Sequence, residues 1–288
     1  MSQLRKTLGK LRRKVWAGRL VRPTFMVIGA QKGGTTALAY YLGQHPQILR
    51  PTDKEVDYFG SETRYQQGED FYHSHFRFLR VPKRAVTFDA SPNDLGASMT
   101  AGRIHRYNPA AKIICLLREP VSRAFSAFNM YRRFVESDPD FFKKVNPRYF
   151  SPKTIATFRK RPVEHTEDFM LAVTEEINSL SEGFSYEWRL LDYGLYEKLL
   201  RPFLDFFPAE QMLFIDSSEL RKSTSAALHK ITAFLELPEY DWGGADTEPK
   251  HAEYYRETMS KEASDTLASF YKEPNRKLQA AIGIGANW

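Results

Sequence analysis

The run FMVIG (25–29) leads directly into AQKGGTT and then ALAYYL, and no other part of the chain restricts the fold so tightly. A short apolar run bounded by turn residues reads as a buried strand, and Thr35 to Leu42 reads as a helix that GQHP ends. Strand, tight turn and helix open an α/β unit, whose parallel sheet must be covered by helices. The pattern recurs. AVTFDASP (85–92) predicts a strand ending in turn chemistry, with a helix near 97–106. KIICLL (112–117) predicts a strand with a helix from about Pro120, a residue suited to a first helical turn. MLFID (212–216) predicts a strand whose helix, capped by Ser217 or Ser218, runs to about Leu235. The expectation is a single α/β domain, a central parallel sheet flanked by helices, for which 288 residues suffice. Residues 134–165, with scattered prolines and no clean period, read as an insertion or lid over the site.

The first turn also carries chemistry. Gly33 and Gly34 allow close approach of an anion, the amides of Lys32 to Thr36 open a helix, and Thr35 and Thr36 add hydroxyl donors. A Walker A loop reads G-x-x-x-x-G-K-[ST]; here Gly29 and Gly34 keep the separation, but Thr35 stands at the lysine position and Lys32 precedes the glycine pair. A second station is LLREPVSRAFSAF (116–128), where Arg118 ends a predicted strand and Ser126 follows on the next helix. Arginine at the carboxyl edge of a parallel strand faces the crevice where such sheets bind ligands. Its planar fork suits a second phosphate, with Ser126 donating a hydrogen bond to the same group and Arg123 as a third candidate ligand.

Composition limits the function classes. Of 42 basic side chains, eight lie within residues 1–22, which hold no acid, so the remainder of the chain is within one charge of neutral against its 35 acids. The net charge of +7 therefore belongs to a tail and does not indicate nucleic-acid binding. In that tail Leu4, Leu8, Leu11 and Val15 fall at helical spacing among basic residues, a pattern that suits an amphipathic helix on an anionic membrane surface, or one packed on the body. Residues 1–22 are accordingly expected as a basic N-terminal segment and 23–288 as the functional domain. Lacking a spanning run or an apolar signal region, the chain is expected in the cytoplasm, with peripheral membrane contact through residues 1–20. A single cysteine, Cys115 within KIICLL, excludes an internal disulfide and reads as a buried small hydrophobe. No Walker B aspartate or ligand cluster calls for a metal.

These residues resemble a known family. GAQKGGTTAL (29–38) is similar to the 5′-phosphosulfate-binding loop of sulfotransferases, and LLREPVSRAFSAF to their 3′-phosphate-binding motif. LYEKLLRPFLDFFPAEQMLFIDSSEL and SFYKEPNRKL (269–278) resemble the later strand unit and C-terminal helix of the heparan sulfate glucosaminyl sulfotransferases. The resemblance implies a P-loop-like core binding 3′-phosphoadenosine 5′-phosphosulfate (PAPS) through Gln31, Lys32, Gly33, Gly34, Thr35, Thr36, Arg118 and Ser126, with PAP as product. DKEVDYFG (53–60) is similar to the family's K/N-E-x-x-[FY]-F segment, which maps the catalytic base to Glu55, with Lys32 acting at the leaving group. A base is what the chemistry requires, because an acceptor hydroxyl must lose its proton as its oxygen attacks sulfur. Asp57 is the nearby rival, while His45 and His165 read as structural.

The chain departs from the pattern after the second predicted strand, where DASP puts Asp89, Ala90 and Ser91 at the family's E-K-[TS]. With Ala90 in place of the lysine, Lys32 is expected to carry more of the leaving-group stabilisation, and Asp89 to assist the acceptor or act as a second base. Lys250 and Arg256 stand where the family closes a loop over the adenine and 3′-phosphate. The acceptor implied by resemblance is a saccharide or glycolipid hydroxyl, with an amine or small hydroxylated metabolite open. Aromatic residues in EVDYFG, EDFYHSHFRF and NMYRRF are candidates to line its site. Two rival readings are a P-loop nucleotide kinase or NTPase with a degenerate loop, and a non-catalytic membrane-associated nucleotide-binding module.

Overall fold

A computed structural model describes residues 18–161, 167–245, 255, 257–285 and 288. Two short strands, β1 (Arg19–Leu20) and β4 (Arg77–Phe78), form an antiparallel pair apart from the main sheet. The main sheet holds β2 (Phe25–Gly29), β3 (Ile48–Leu49), β5 (Val86–Ala90), β6 (Lys112–Leu117) and β7 (Met212–Asp216) in the order β3-β5-β2-β6-β7, every pairing parallel. Edge strand β3 was not among the expected strands, since two residues are too few to show a period. Helices of eight residues or more are α1 (Thr35–Leu42), α2 (Thr100–Tyr107), α3 (Pro120–Ser137), α4 (Phe169–Ser181), α5 (Tyr196–Phe206), α6 (Thr224–Phe234) and α7 (Lys261–Ile282).

Alternation along the central strands builds two layers. Met26 and Ile28, with Ile113, Cys115 and Leu117, pack on one face beneath α2 and α5. Phe25, Val27, Ile114 and Leu116 pack on the other beneath α1 and α6. Strands buried on both faces read as continuous apolar runs, which is why KIICLL and FMVIG stand out in the sequence. A third cluster joins α3 to α4 and α7 through residues such as Phe128, Val173, Trp188 and Tyr271. Cys115 is fully buried, and desolvation pushes its thiol well above the ordinary value.

Two boundaries differ from expectation. Asp216 rather than a serine caps the helical turn Ser217–Lys222, accepting from Ser218 N–H, and Ser223 separates that turn from α6. Ser217 instead donates its hydroxyl to Gly33 O (2.7 Å) and Leu117 O (2.9 Å). After β5 the chain forms a single-turn helix, Pro92–Gly96, and α2 begins only at Thr100. Residues 138–158, within the stretch expected as irregular, hold the short helices Phe141–Val145, Asn146–Arg148 and Pro152–Ile155.

Candidate functional site

The chain passes from β2 to β3 and β5 on one side of the sheet and then crosses to β6 on the other. The crevice beyond the carboxyl ends of β2 and β6 lies at that reversal. The turn after β2 has little freedom. A Cβ on Gly33 would lie 2.7 Å from Leu116 O and 2.8 Å from Ala30 O. Gly34, the residue before α1, has φ +100°, a backbone region open mainly to glycine. The first amides of α1 have no partner within the helix and face the crevice as anion donors. Arg118, just past β6, donates to Lys32 O (3.2 Å) and to Ser122 Oγ (3.3 Å), so the two stations read from the sequence are tied together. Glu119 caps α3, its carboxylate accepting from Val121 and Ser122 N–H at 2.7 Å each.

A cavity of about 1100 Å³ opens here, and Gln31, Lys32, Gly33, Gly34, Thr35, Thr36, Glu55, Arg118 and Ser126 all line it. Lys32, Arg118 and Arg221 supply positive charge, with hydroxyls from Thr36, Ser122 and Ser126; among the described residues the only carboxylates on the lining are Glu55 and Glu187. Gln31 donates to Tyr131 Oη (2.8 Å) and Asn93 Oδ1 (3.3 Å), which fixes the loop against α3.

The carboxylates of the base region separate by burial. Glu55 has φ +64°, a side chain 42% exposed and an ion pair with Lys54. Asp57 is buried and off the lining, where its Oδ2 accepts from Tyr149 Oη (3.0 Å) and Arg64 Nη1 (3.3 Å). Burial pushes the Asp57 carboxyl up to about 7 against the pull of Arg64, with Glu55 and Asp89 adding to the rise. Asp89, also buried, corrects the expectation of a second base or acceptor contact. It lies off the lining, and its Oδ1 accepts from Ser91 Oγ (2.7 Å), which in turn accepts from Asp57 N–H (2.8 Å). Burial raises the Asp89 carboxyl to about 6. Ala90, at the position of the missing lysine, packs in the core.

Other expectations divide similarly. Arg123 is fully buried and donates to Leu190 O, so it is a structural residue and not a ligand of the cavity. His45 is buried, accepts at Nδ1 from Gln47 N–H (3.1 Å) and donates from Nε2 to Pro238 O (3.3 Å). His165, Lys250, Arg256 and residues 1–17 lie outside the described residues. Of the aromatic stretches, NMYRRF contributes Met130, Tyr131 and Phe134 to the lining, whereas Tyr58, Phe59, Tyr72 and Phe76 are core. Sequence reasoning missed Arg221, Tyr255 and Arg189. Arg221 lies in the helical turn Ser217–Lys222 after β7, not at the strand end itself as Arg118 does, so the strand-end rule does not single it out. Tyr255 Oη donates to Ser126 Oγ (3.0 Å). Arg189 comes from a turn that the buried Glu176 organises by accepting from the N–H groups of Leu190, Leu191 and Asp192, contacts with no local signal.

Residues 22–275 match the family model described as the sulfotransferase domain. The chain is 24% identical to a Dictyostelium discoideum protein named membrane-associated sulfotransferase kil1, over 93% of this chain and 67% of that one. It is 29% identical to the human bifunctional heparan sulfate N-deacetylase/N-sulfotransferase 3 over 90% of this chain, which spans 30% of that protein. It is 26% identical to the mouse heparan sulfate glucosamine 3-O-sulfotransferase 5 over 75% of this chain and 54% of that one. Among solved structures, a sulfotransferase from Alicyclobacillus acidocaldarius superposes with a TM-score of 0.63 at 25% identity, covering 92% of this chain and 97% of that one.

Proposed function

The chain belongs to the sulfotransferase family, and we propose that it moves a sulfuryl group from PAPS to a hydroxyl, or an amine, of a saccharide or glycolipid by in-line displacement. One observation carries this reading: Lys32, Arg118, Ser126 and Glu55, drawn from three separate stretches, converge on one cavity. The donor set fits a group with two anionic ends, since cations and hydroxyls gather beyond β2, β6 and β7 and, among the described residues, no carboxylate lines that end.

Bound PAPS supplies an activated sulfur joined to a phosphate able to leave. Lys32 and the amides opening α1 take up the charge that grows on the 5′-phosphate oxygen as its bond to sulfur breaks. Arg118, Ser126 and Arg221 hold the 3′-phosphate. Glu55, the lining carboxylate that carries the family's base motif, receives the proton of the acceptor hydroxyl as that oxygen bonds to sulfur. The acceptor then carries the sulfate ester, PAP remains, and one proton is released.

The heparan-directed names of two relatives support a saccharide acceptor, as does the resemblance of the loop motifs. A kinase or NTPase reading is disfavoured because Thr35 holds the Walker lysine position. Residues 23–288 form the transferase domain in this reading, with residues 1–22 as a basic segment that brings a cytoplasmic protein to a membrane surface. Among the described residues no helix is long and apolar enough to cross a membrane. The name of the Dictyostelium relative supports membrane contact, which co-sedimentation of full-length and 21–288 protein with anionic vesicles tests. Parallel calorimetric titrations with PAP, ADP and ATP test the donor. PAP is expected to bind most tightly, and a preference for ATP overturns the reading.

A further inference from the structure

Helix α3 presents one row of side chains to the cavity at four-residue spacing: Ser122, Ser126, Met130 and Phe134. Four residues advance a helix by about 6 Å, so this row changes from hydroxyl to apolar along about 18 Å. The hydroxyl half lies beside Arg118. Facing the apolar half are Phe141, Phe142, Val145, Tyr149 and Phe150 of the following short helices and turns. Phe134 stacks on Phe141 with ring centroids 4.6 Å apart, yet remains 38% exposed. Phe142 stacks on Trp188 at 5.7 Å, which stiffens the wall from behind.

Charge at this end is sparse and of the wrong sign for a polyanion. Besides Lys32, Arg118 and Arg221, the cavity lining has one cation among the described residues, Arg189. Its guanidinium is already engaged, donating to Asp192 Oδ2 (2.9 and 2.7 Å) and Gly96 O (2.9 Å) and lying 4.1 Å over the Tyr193 ring. Glu55 and Glu187 are the facing anions. The apolar surface also continues outward. Phe150 lines a second hollow of about 580 Å³ together with Pro147, Pro152, Ile155 and Phe158, where Lys160 is the one charged side chain among the described residues.

We propose that the acceptor is an uncharged amphiphile, with a hydroxyl at Glu55 and an apolar chain or ring system lying between Phe134, Phe141 and Phe150. This rests on the sulfotransferase reading and narrows it. An apolar wall of this kind gains by covering hydrocarbon and offers nothing to sulfates or carboxylates, whose desolvation would go uncompensated.

The test uses the full chain saturated with PAP and four probes: octyl β-D-glucoside below its micelle concentration, 2-naphthol, D-glucose and a heparosan hexasaccharide. At least one of the first two is expected to bind ten times more tightly than glucose, the glucoside marking a chain-type acceptor and naphthol a ring-type one. Phe134→Asp, at a partly exposed position, is expected to weaken that probe tenfold or more while PAP affinity holds; Phe150→Ser serves if that variant misfolds. Preference for the hexasaccharide, or no preference for either amphiphile over glucose, overturns the proposal. If PAP binds but neither amphiphile is favoured, only the acceptor class is wrong, whereas failure to bind PAP removes the sulfotransferase reading itself.

Discussion

The two ends of the cavity are made of different material. At the phosphate end Lys32, Arg118 and Arg221 come from the turns beyond three strands of one parallel sheet, and main-chain acceptors lock the strand ends together: Arg118 onto Lys32 O, Ser217 onto Gly33 O and Leu117 O. At the other end the wall consists of short helices between 141 and 155, held to the base loop by side chains. Ser61 Oγ donates to Arg148 O (2.7 Å), Ser151 N–H to Glu62 Oε2 (2.8 Å) and Thr154 Oγ1 to Glu62 Oε1 (2.9 Å). Burial opposes it, but these bonds from Ser151 and Thr154 hold the Glu62 carboxyl below its ordinary value. A rigid end therefore suits a donor of fixed shape, while the stitched end can change its wall without disturbing the sheet.

If the ends act separately, their variants fail separately. The largest effect belongs at the border. Glu55→Gln is expected to lower kcat by about 10²- to 10⁴-fold, as loss of a general base does, while PAP affinity by calorimetry stays unchanged. A matching loss of PAP affinity would mean that the two ends are one unit. Next, Arg118→Ala removes a charge-assisted contact worth about 1.5–3 kcal/mol, so PAP should bind roughly 10- to 150-fold more weakly. The acceptor KM at saturating PAPS should barely move. Unchanged PAP affinity in this variant would take Arg118 out of the phosphate site.

The same contrast explains what the sequence made legible. FMVIG, KIICLL and MLFID are strands at the residues expected, and the loop, Arg118, Ser126 and Glu55 meet in one cavity, because strand runs, glycine turns and strand-end cations are local signals. Burial depth is not local. Nothing within DASP separates an active-site carboxylate from Asp89 as it stands, under Ser91 and out of the cavity. Arg123 lies within the best motif of the chain and still turns inward to Leu190 O. Phe134 was a candidate through NMYRRF, but Phe141 and Phe150 were hidden, since aromatic residues in a segment without a period show no direction. Only the packing of that segment on α3 and the base loop turns them toward the cavity.

Smaller effects sharpen the comparison at the stitches. Burial raises the Asp57 carboxyl from the ordinary 3.8 to about 7 in the folded chain. Over that window the native state binds the extra proton, so stability is greatest below pH 4 as far as this group is concerned and falls as pH rises toward 7. Asp57→Asn removes the group's contribution, and its Tm should decline less between pH 4 and 7 than that of the parent, by on the order of 2–4 °C for each kcal/mol concerned. An identical pH slope would show that Asp57 is ionised throughout.

Tyr149→Phe is the mildest change and the most discriminating. Its hydroxyl donates to Asp57 Oδ2 (3.0 Å), while its backbone carbonyl accepts from Glu62 N–H (2.7 Å) and is untouched by the substitution. The loss is one hydrogen bond, about 0.5–1.5 kcal/mol, with Arg64 still at the Asp57 carboxylate. That hydroxyl favours the ionised carboxylate, so without it Asp57 should release its proton at higher pH, and the decline in stability should extend upward past 7. Because Tyr149 lines the acceptor end, KM for the acceptor should rise while PAP affinity is constant. A shifted pH profile with both constants unchanged would confine Tyr149 to the stability of the base loop. A change in PAP affinity would show that strain in the stitched wall reaches the sheet edge, and that the two ends are mechanically one.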